Sequence, residues 1–229
     1  MNKQTVAVLD FGSQYTQLIA RRIREQNVYS EILPHSITAD ELSKKNVPAI
    51  ILSGGPSSVY DKNAPQVDPS ILSMGIPVLG ICYGLQLMIT QNGGNVTHKG
   101  QGEYGFAKMH TVNESPLLTN LANESQVWMS HGDEIDSLGN GFEIIAQSSN
   151  DVIAAIHHKD QPLYGVQFHP EVIHTLEGET IISNFLFNIA QCTADWTAAN
   201  FISETISKIQ DITGDNGKVI TGLSGGVDS

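Results

Sequence analysis

Short β-branched runs alternating with helical patterns restrict this chain to an α/β architecture. "TVAVLDF" reads as a buried strand, and Tyr15, Leu18, Ile19, Arg22 and Ile23 follow at helical spacing in "SQYTQLIARRIREQ". Further strands are expected at "YSEILP", "PAIILSGG" and "IPVLGIC", with helices at "ADELSKK" and "DPSILSM" between them. That order predicts an open parallel sheet with crossover helices. Beyond Gly93 the strands come closer together ("GEYGFAKMHTV", "QVWMSH", "FEIIAQSS", "VIAAIHH", "LYGVQF"), which predicts antiparallel additions and hence a mixed, mainly parallel sheet flanked by helices. A helix is expected over "EGETIISNFLFNIAQ".

The pattern changes near residue 192. "DWTAANFISETISKIQDITG" places Phe201, Ile202, Thr205 and Ile209 at helical spacing, and "GKVITGLSGGVDS" reads as a new strand entering a glycine-rich loop. The expected organisation is one domain over residues 1–192, then a linker helix and the opening of a truncated second α/β domain over 193–229.

The chain has 229 residues, enough to bury a sizeable core, and a formal net charge of −12. That charge disfavours binding to nucleic-acid phosphates or to anionic membrane surfaces. Two cysteines, Cys82 and Cys192, and an N-terminus without signal-peptide architecture lead to the expectation of a reducing cytoplasm. No apolar run is long enough to cross a bilayer.

"GICYGLQ" (80–86) sets Cys82 between two glycines, after a strand and before a helix. A sharp strand-to-helix turn strains its central residue, and small residues two positions to either side let strand and helix approach. At the start of a helix, the positive end of the dipole favours thiolate over thiol. A free cysteine also commonly ends a strand as a small apolar residue, so the motif alone leaves both readings open. A nucleophile needs a base and an orienting group. "YGVQFHPE" (164–171) offers His169 at a strand's end and Glu171 two residues on, on the same side of an extended backbone. His98, His110, His157 and His158 read as surface or core-satisfied histidines. For an oxyanion hole, the amide of Tyr83 follows the nucleophile and that of Gly55 lies in "LSGGPSS", after the preceding strand. Gly55, Cys82 and His169 then all fall at carboxyl ends of strands, where open α/β sheets bind ligands.

"SGGP", "GICYGLQ" and "GVQFHPE", in this order and at these distances, resemble the three signatures of the class I, triad-type glutamine amidotransferases, over about residues 4–192. The resemblance implies a flavodoxin-like α/β fold and hydrolysis of glutamine to glutamate and ammonia by Cys82, His169 and Glu171, with no metal or cofactor in that step. It also implies glutamine-binding roles for Gln86 and for Ser130, His131, Gly132 and Asp133. The C-terminal "LSGGVDS" resembles the phosphate-binding loop of ATP pyrophosphatases, which would place ATP phosphates on Ser224, Gly225, Gly226, Val227, Asp228 and Ser229. An amidotransferase joined to such a loop implies an enzyme that uses ATP and Mg²⁺ to adenylate xanthosine monophosphate (XMP), ammonia then displacing AMP. A homodimer formed through further C-terminal residues is expected for the complete enzyme, and glutamine hydrolysis alone for these 229 residues. Neither nucleic acid nor membrane is an expected partner. The competing readings are the amidotransferase of another synthetase, a γ-glutamyl peptidase or other cysteine hydrolase of the same fold, and a non-catalytic module.

Overall fold

The structure, a computed structural model, describes residues 4–214 and 217–220. The chain divides into two compact units, Met1–Ala194 and Asp195–Ser229.

The first unit is built on one sheet. Its elements are β1 (Val6–Asp10), α1 (Thr16–Glu25), β2 (Ser30–Pro34), α2 (Ala39–Ser43), β3 (Ile50–Leu52), β4 (Val78–Ile81), α3 (Tyr83–Gln91), β5 (Asn95–Thr111), β6 (Glu124–Ser137), β7 (Phe142–Ser148), β8 (Ile153–His158), β9 (Leu163–Val166) and α4 (Gly178–Ser183). The strand order is β2-β1-β3-β4-β9-β8-β7-β5-β6. The five strands β2, β1, β3, β4 and β9 pair in parallel, and β8, β7, β5 and β6 extend the sheet antiparallel.

Both faces of the parallel half are covered, so its inner strands β3 and β4, and β1 up to Leu9, are buried and non-polar at every position rather than at alternate ones. Val6, Val8, Ile51, Leu79 and Ile81 enter one core, with Ile19 and Ile23 of α1 and Phe185. Ala7, Leu9, Ile50, Leu52 and Val78 point the other way and pack with Leu42, Tyr83 and Leu85. The period of two thus sorts each strand between two hydrophobic layers. Helix α1 buries Thr16, Ile19, Ala20 and Ile23, spaced three and four apart. Helix α2 starts on a reciprocal capping box between Thr38 and Glu41.

Three expectations are corrected. "DPSILSM" forms a single 3₁₀ segment, Pro69–Ser73, because Asp68 caps Ser70 and Pro69 occupies the first position, leaving room for little more than one turn. The helix over "EGETIISNFLFNIAQ" is α4 for its first part and then widens into a π-helical stretch, Asn184–Ile189. In the second unit, α5 (Ala198–Thr213) forms as expected, capped by the Thr197 side chain on the amide of Asn200. Residues 217–220 carry no strand, and no α/β layer is built among the described residues of this unit. Residues 224–229, the expected phosphate loop, lie outside the described residues. No described helix is long and apolar enough to cross a membrane.

Candidate active site

Strand β4 stops at Ile81 and helix α3 starts at Tyr83, so Cys82 alone makes the turn, at φ 50° and ψ −105°. For a residue with a side chain this left-handed geometry costs about 1–3 kcal/mol, and the surroundings must enforce it. They do so from both sides. A Cβ on Gly84 would sit 2.4 Å from the carbonyl oxygen of Leu52, and one on Gly80 would sit 2.7 Å from the amide nitrogen of Leu85. The Gly84 amide donates to Ser53 O at 3.1 Å and the Cys82 amide to Val166 O at 2.8 Å, which ties the elbow to the ends of β3 and β9.

Beyond β9 the chain runs through Gln167 and Phe168 to His169, whose amide donates to Trp128 O at 3.0 Å. The Thr175 hydroxyl donates to His169 O at 2.6 Å. His169 Nδ1 lies 2.8 Å from Glu171 Oε1, and both side chains are buried. Arg22 Nε donates to the main-chain oxygen of Glu171 at 3.0 Å, pinning the segment to α1. Burial by itself would lower the basicity of His169, but its interactions with Cys82 and Glu171 outweigh that and raise its pKa to about 10. The shift favours the protonated ring, in which the Nδ1 proton is donated to the Glu171 carboxylate. A Cβ on Gly54 would lie 3.2 Å from His169 Cε1 and 3.8 Å from Cys82 Cβ, so the glycine leaves the space that thiol and imidazole share.

A cavity of about 580 Å³ opens over this pair, lined by Cys82, His169, Gly55, Tyr83, Gln86 and the run Ser130–Asp133. Its size falls in the range of small-ligand sites. Tyr83 is the first residue of α3, where amides have no partner within the helix, and Gly55 packs so closely on Phe11 that a Cβ would meet its carbonyl at 2.8 Å. His131 is buried, with Nδ1 3.0 Å from Asp133 O, and burial lowers its pKa below the usual histidine value. Gln86 is buried too, its amide nitrogen 2.9 Å from Asp133 O and 3.3 Å from Gln167 Oε1.

The structure thus brings Gly55, Cys82, Tyr83, Gln86, Ser130, His131, Gly132, Asp133 and His169 around one cavity, with Glu171 behind His169. The histidines set aside in the sequence divide. His157 is held by Glu143 and Ser115, whereas His98 lines the cavity, its Nδ1 3.1 Å from Asp133 Oδ1. His98 is thus the surface histidine expected, and the antiparallel pairing of β5 with β6, which sets it opposite Asp133, also brings it to the cavity rim. Tyr104, Gln167 and Thr175 also belong to the site or its support without having been singled out, and Tyr15, read only as part of a helical pattern, joins them. Tyr15 stacks edge-on against the His169 ring with centroids 5.2 Å apart. Their positions depend on contacts between distant segments, and only Gln167, inside "GVQFHPE", sat in a recognisable motif. Among the described residues no group of three or more His, Cys, Asp or Glu side chains is arranged to hold a metal ion.

The sequence model of the family described as glutamine amidotransferase class-I matches residues 7–189. The chain belongs to the class I glutamine amidotransferases. Among curated relatives, this amidotransferase is 50% identical over 229 residues to a protein named GMP synthase [glutamine-hydrolyzing] from Thermosynechococcus vestitus. A Synechocystis protein of the same name is 51% identical over 226 residues. The matches cover 100% and 99% of this chain but 43% and 42% of those proteins, so the chain spans about two fifths of their length. Among solved structures, a candidate GMP synthase subunit from Thermoplasma acidophilum superposes with a TM-score of 0.74 at 28% identity, covering 90% of this chain and 99% of that one. A glutamine amidotransferase from Thermotoga maritima, with a TM-score of 0.65 and 18% identity over 83% of this chain and 99% of that one, shares the fold.

Proposed function

We propose that this amidotransferase hydrolyses glutamine through Cys82, His169 and Glu171. The observation that carries the reading is the strained, buried Cys82 beside a buried histidine whose Nδ1 is itself backed by a buried glutamate at the floor of the cavity. In the proposed cycle the Cys82 thiolate attacks the side-chain amide carbon of glutamine. The oxyanion accepts hydrogen bonds from the amides of Tyr83 and Gly55. His169 gives its proton to the departing ammonia, leaving a thioester. Neutral His169 then takes a proton from water as that water attacks the thioester carbonyl, and collapse of the second tetrahedral intermediate releases glutamate and the thiolate. Glu171 holds the imidazole tautomer throughout. That Gln86 and the Ser130–Asp133 run line the same cavity supports assigning them to the rest of the glutamine molecule.

The likeness to proteins named GMP synthase supports a wider proposal, in which the ammonia serves ATP- and Mg²⁺-dependent conversion of XMP to GMP by a homodimeric, cytoplasmic enzyme. Within it, residues 1–192 are the amidotransferase domain and residues 193–229 open the synthetase domain. The break between compact units after Ala194 agrees with that boundary. ATP contacts of Ser224–Ser229 belong to the same proposal.

The test is mass spectrometry after exposure to 6-diazo-5-oxonorleucine, with ammonia release from glutamine measured in parallel. Stoichiometric label on Cys82, suppressed by glutamine and absent from Cys192, is the expected result. Cys192 is a suitable internal control because burial pushes its pKa up to about 11. A folded chain without glutamine-protected label on Cys82 would overturn the reading, and cleavage of γ-glutamyl peptides faster than of glutamine would replace it with a peptidase.

A further inference from the structure

Gln167 is fully buried directly beside the nucleophile, and the triad chemistry gives it no part. Its backbone is fixed by an amide hydrogen bond to Ala154 O at 2.8 Å. A buried primary amide needs partners, since leaving its donors or acceptor without them is costly. Two are in reach. Gln167 Oε1 lies 3.3 Å from Gln86 Nε2, and Gln167 Nε2 lies 3.7 Å from Cys82 Sγ.

Which end of each amide points where follows from the third contact. Gln86 meets the main-chain oxygen of Asp133 at 2.9 Å, and a carbonyl only accepts, so Gln86 must present its NH₂ group there. The same NH₂ group faces Gln167, which therefore turns its oxygen to Gln86 and its own NH₂ to the sulfur. A flipped Gln167 would set NH₂ against NH₂ and a carbonyl oxygen against sulfur lone pairs. On its other flank Cys82 Sγ lies 3.7 Å from Ser130 O, an acceptor to which the thiol can donate and the thiolate cannot. The sulfur thus sits between a donor that rewards the thiolate and an acceptor that rewards the thiol.

We propose that Gln86 and Gln167 form a buried amide relay, anchored on Asp133 O, that holds a hydrogen-bond donor on the Cys82 sulfur and keeps it as the attacking thiolate. The inference rests on the reading of Cys82 as nucleophile and assigns Gln167 as a positioning residue, with Gln86 orienting it. A hydrogen bond to a charged group is worth enough to change an equilibrium about tenfold or more. Without the Gln167 donor, the Ser130 carbonyl would draw the balance towards the thiol.

The experiment measures the rate of Cys82 alkylation by iodoacetamide from pH 5 to 11 in the whole chain, for the parent and for Gln167→Met. The substitution leaves in place the other titratable groups around the cavity, those of Tyr15, Tyr83, His98, Tyr104, His131, Asp133 and His169 with Glu171 behind it. The expected result is about a tenfold slower reaction at pH 7 with the same high-pH plateau, because the thiolate is then complete in both proteins. A packing or access defect would instead slow alkylation at every pH. Gln86→Met, which keeps Gln167 but removes the group that orients it, should show a smaller change of the same form and covers the case in which Gln167→Met does not fold. The double variant should be no slower than Gln167→Met, since the two residues act as one unit. Superimposable profiles for parent and both variants would overturn the relay. A parent whose Cys82 reacts no faster than Cys192 at pH 7 would overturn the nucleophile reading instead, so the two failures are distinguishable.

Discussion

At Glu171 the chain buries a carboxylate completely and offers it one histidine. An unpaired charge there would be strongly destabilising, so the pair is retained only while His169 carries its proton. The direction of the pH dependence follows. His169 has a folded pKa of about 10, above the ordinary histidine value, so its pairing stabilises the fold fully below about pH 6.5 and is lost as pH rises through 10. Glu171→Gln removes the carboxylate and lowers His169. The difference in urea midpoint between parent and variant should therefore be largest near pH 6 to 7 and shrink towards pH 10.5 (approximate bounds set by those two values). A difference that grows with pH would contradict the pairing. Glutaminase kcat should fall about 10⁴-fold in the same variant, because the imidazole loses the partner that sets its tautomer. That Cys82, His169 and Glu171 would meet was legible in the sequence because motif spacing sets each at or just beyond a strand's end. His98 and Thr175 were not, since a β5–β6 pairing and a hydroxyl reaching back six residues to His169 O are tertiary facts.

At the scale of elements, the elbow between β4 and α3 works by contact rather than by flexibility. Gly84 has an ordinary backbone φ, and what excludes a larger residue is the end of β3: an alanine methyl would meet Leu52 at its oxygen, 2.4 Å, and its Cβ, 2.6 Å. Backbone atoms cannot swing aside as a flexible side chain does. Gly84→Ala should thus destabilise the protein by about 3 kcal/mol and, by pushing α3 off β3, abolish preferential alkylation of Cys82. A variant with parental urea midpoint and parental labelling would show that the helix can shift freely. The βα units were readable because their strands are β-branched and their helices carry apolar stripes such as Ile19, Ala20 and Ile23. Where the reading failed, partners decided. The five residues after Asp68 have a helix-like composition yet wind into 3₁₀ form between a cap and a short connection, and residues 217–220 have strand-like composition but carry no strand.

At the scale of the whole molecule, the parallel half of the sheet gathers residues from far apart in the chain. Strand ends β3, β4 and β9 deliver Gly55, Cys82 and His169 to one edge, and the long β5–β6 pair arches Tyr104 and Ser130–Asp133 over it as the facing wall. The described residues that line the cavity belong to the unit Met1–Ala194. That unit also closes on itself at its end: the amide and hydroxyl of Thr193 both donate to Gln4 Oε1, at 3.1 and 2.9 Å, and the Cys192 amide donates to Leu186 O at 2.8 Å. Helix α5 in the second unit carries Ile202, Ile206 and Ile212 exposed, apolar surface of the kind that promotes self-association. A chain ending after Ala194 should therefore keep the thermal midpoint and the glutamine-protected labelling of Cys82 seen in the 229-residue chain, while aggregating less. Light scattering on heating and the labelling rate measure both parts. If shortening left the fold intact by circular dichroism yet eliminated labelling, residues 195–229 would be ordering the site, and coupling between the units would have to replace autonomy of the first.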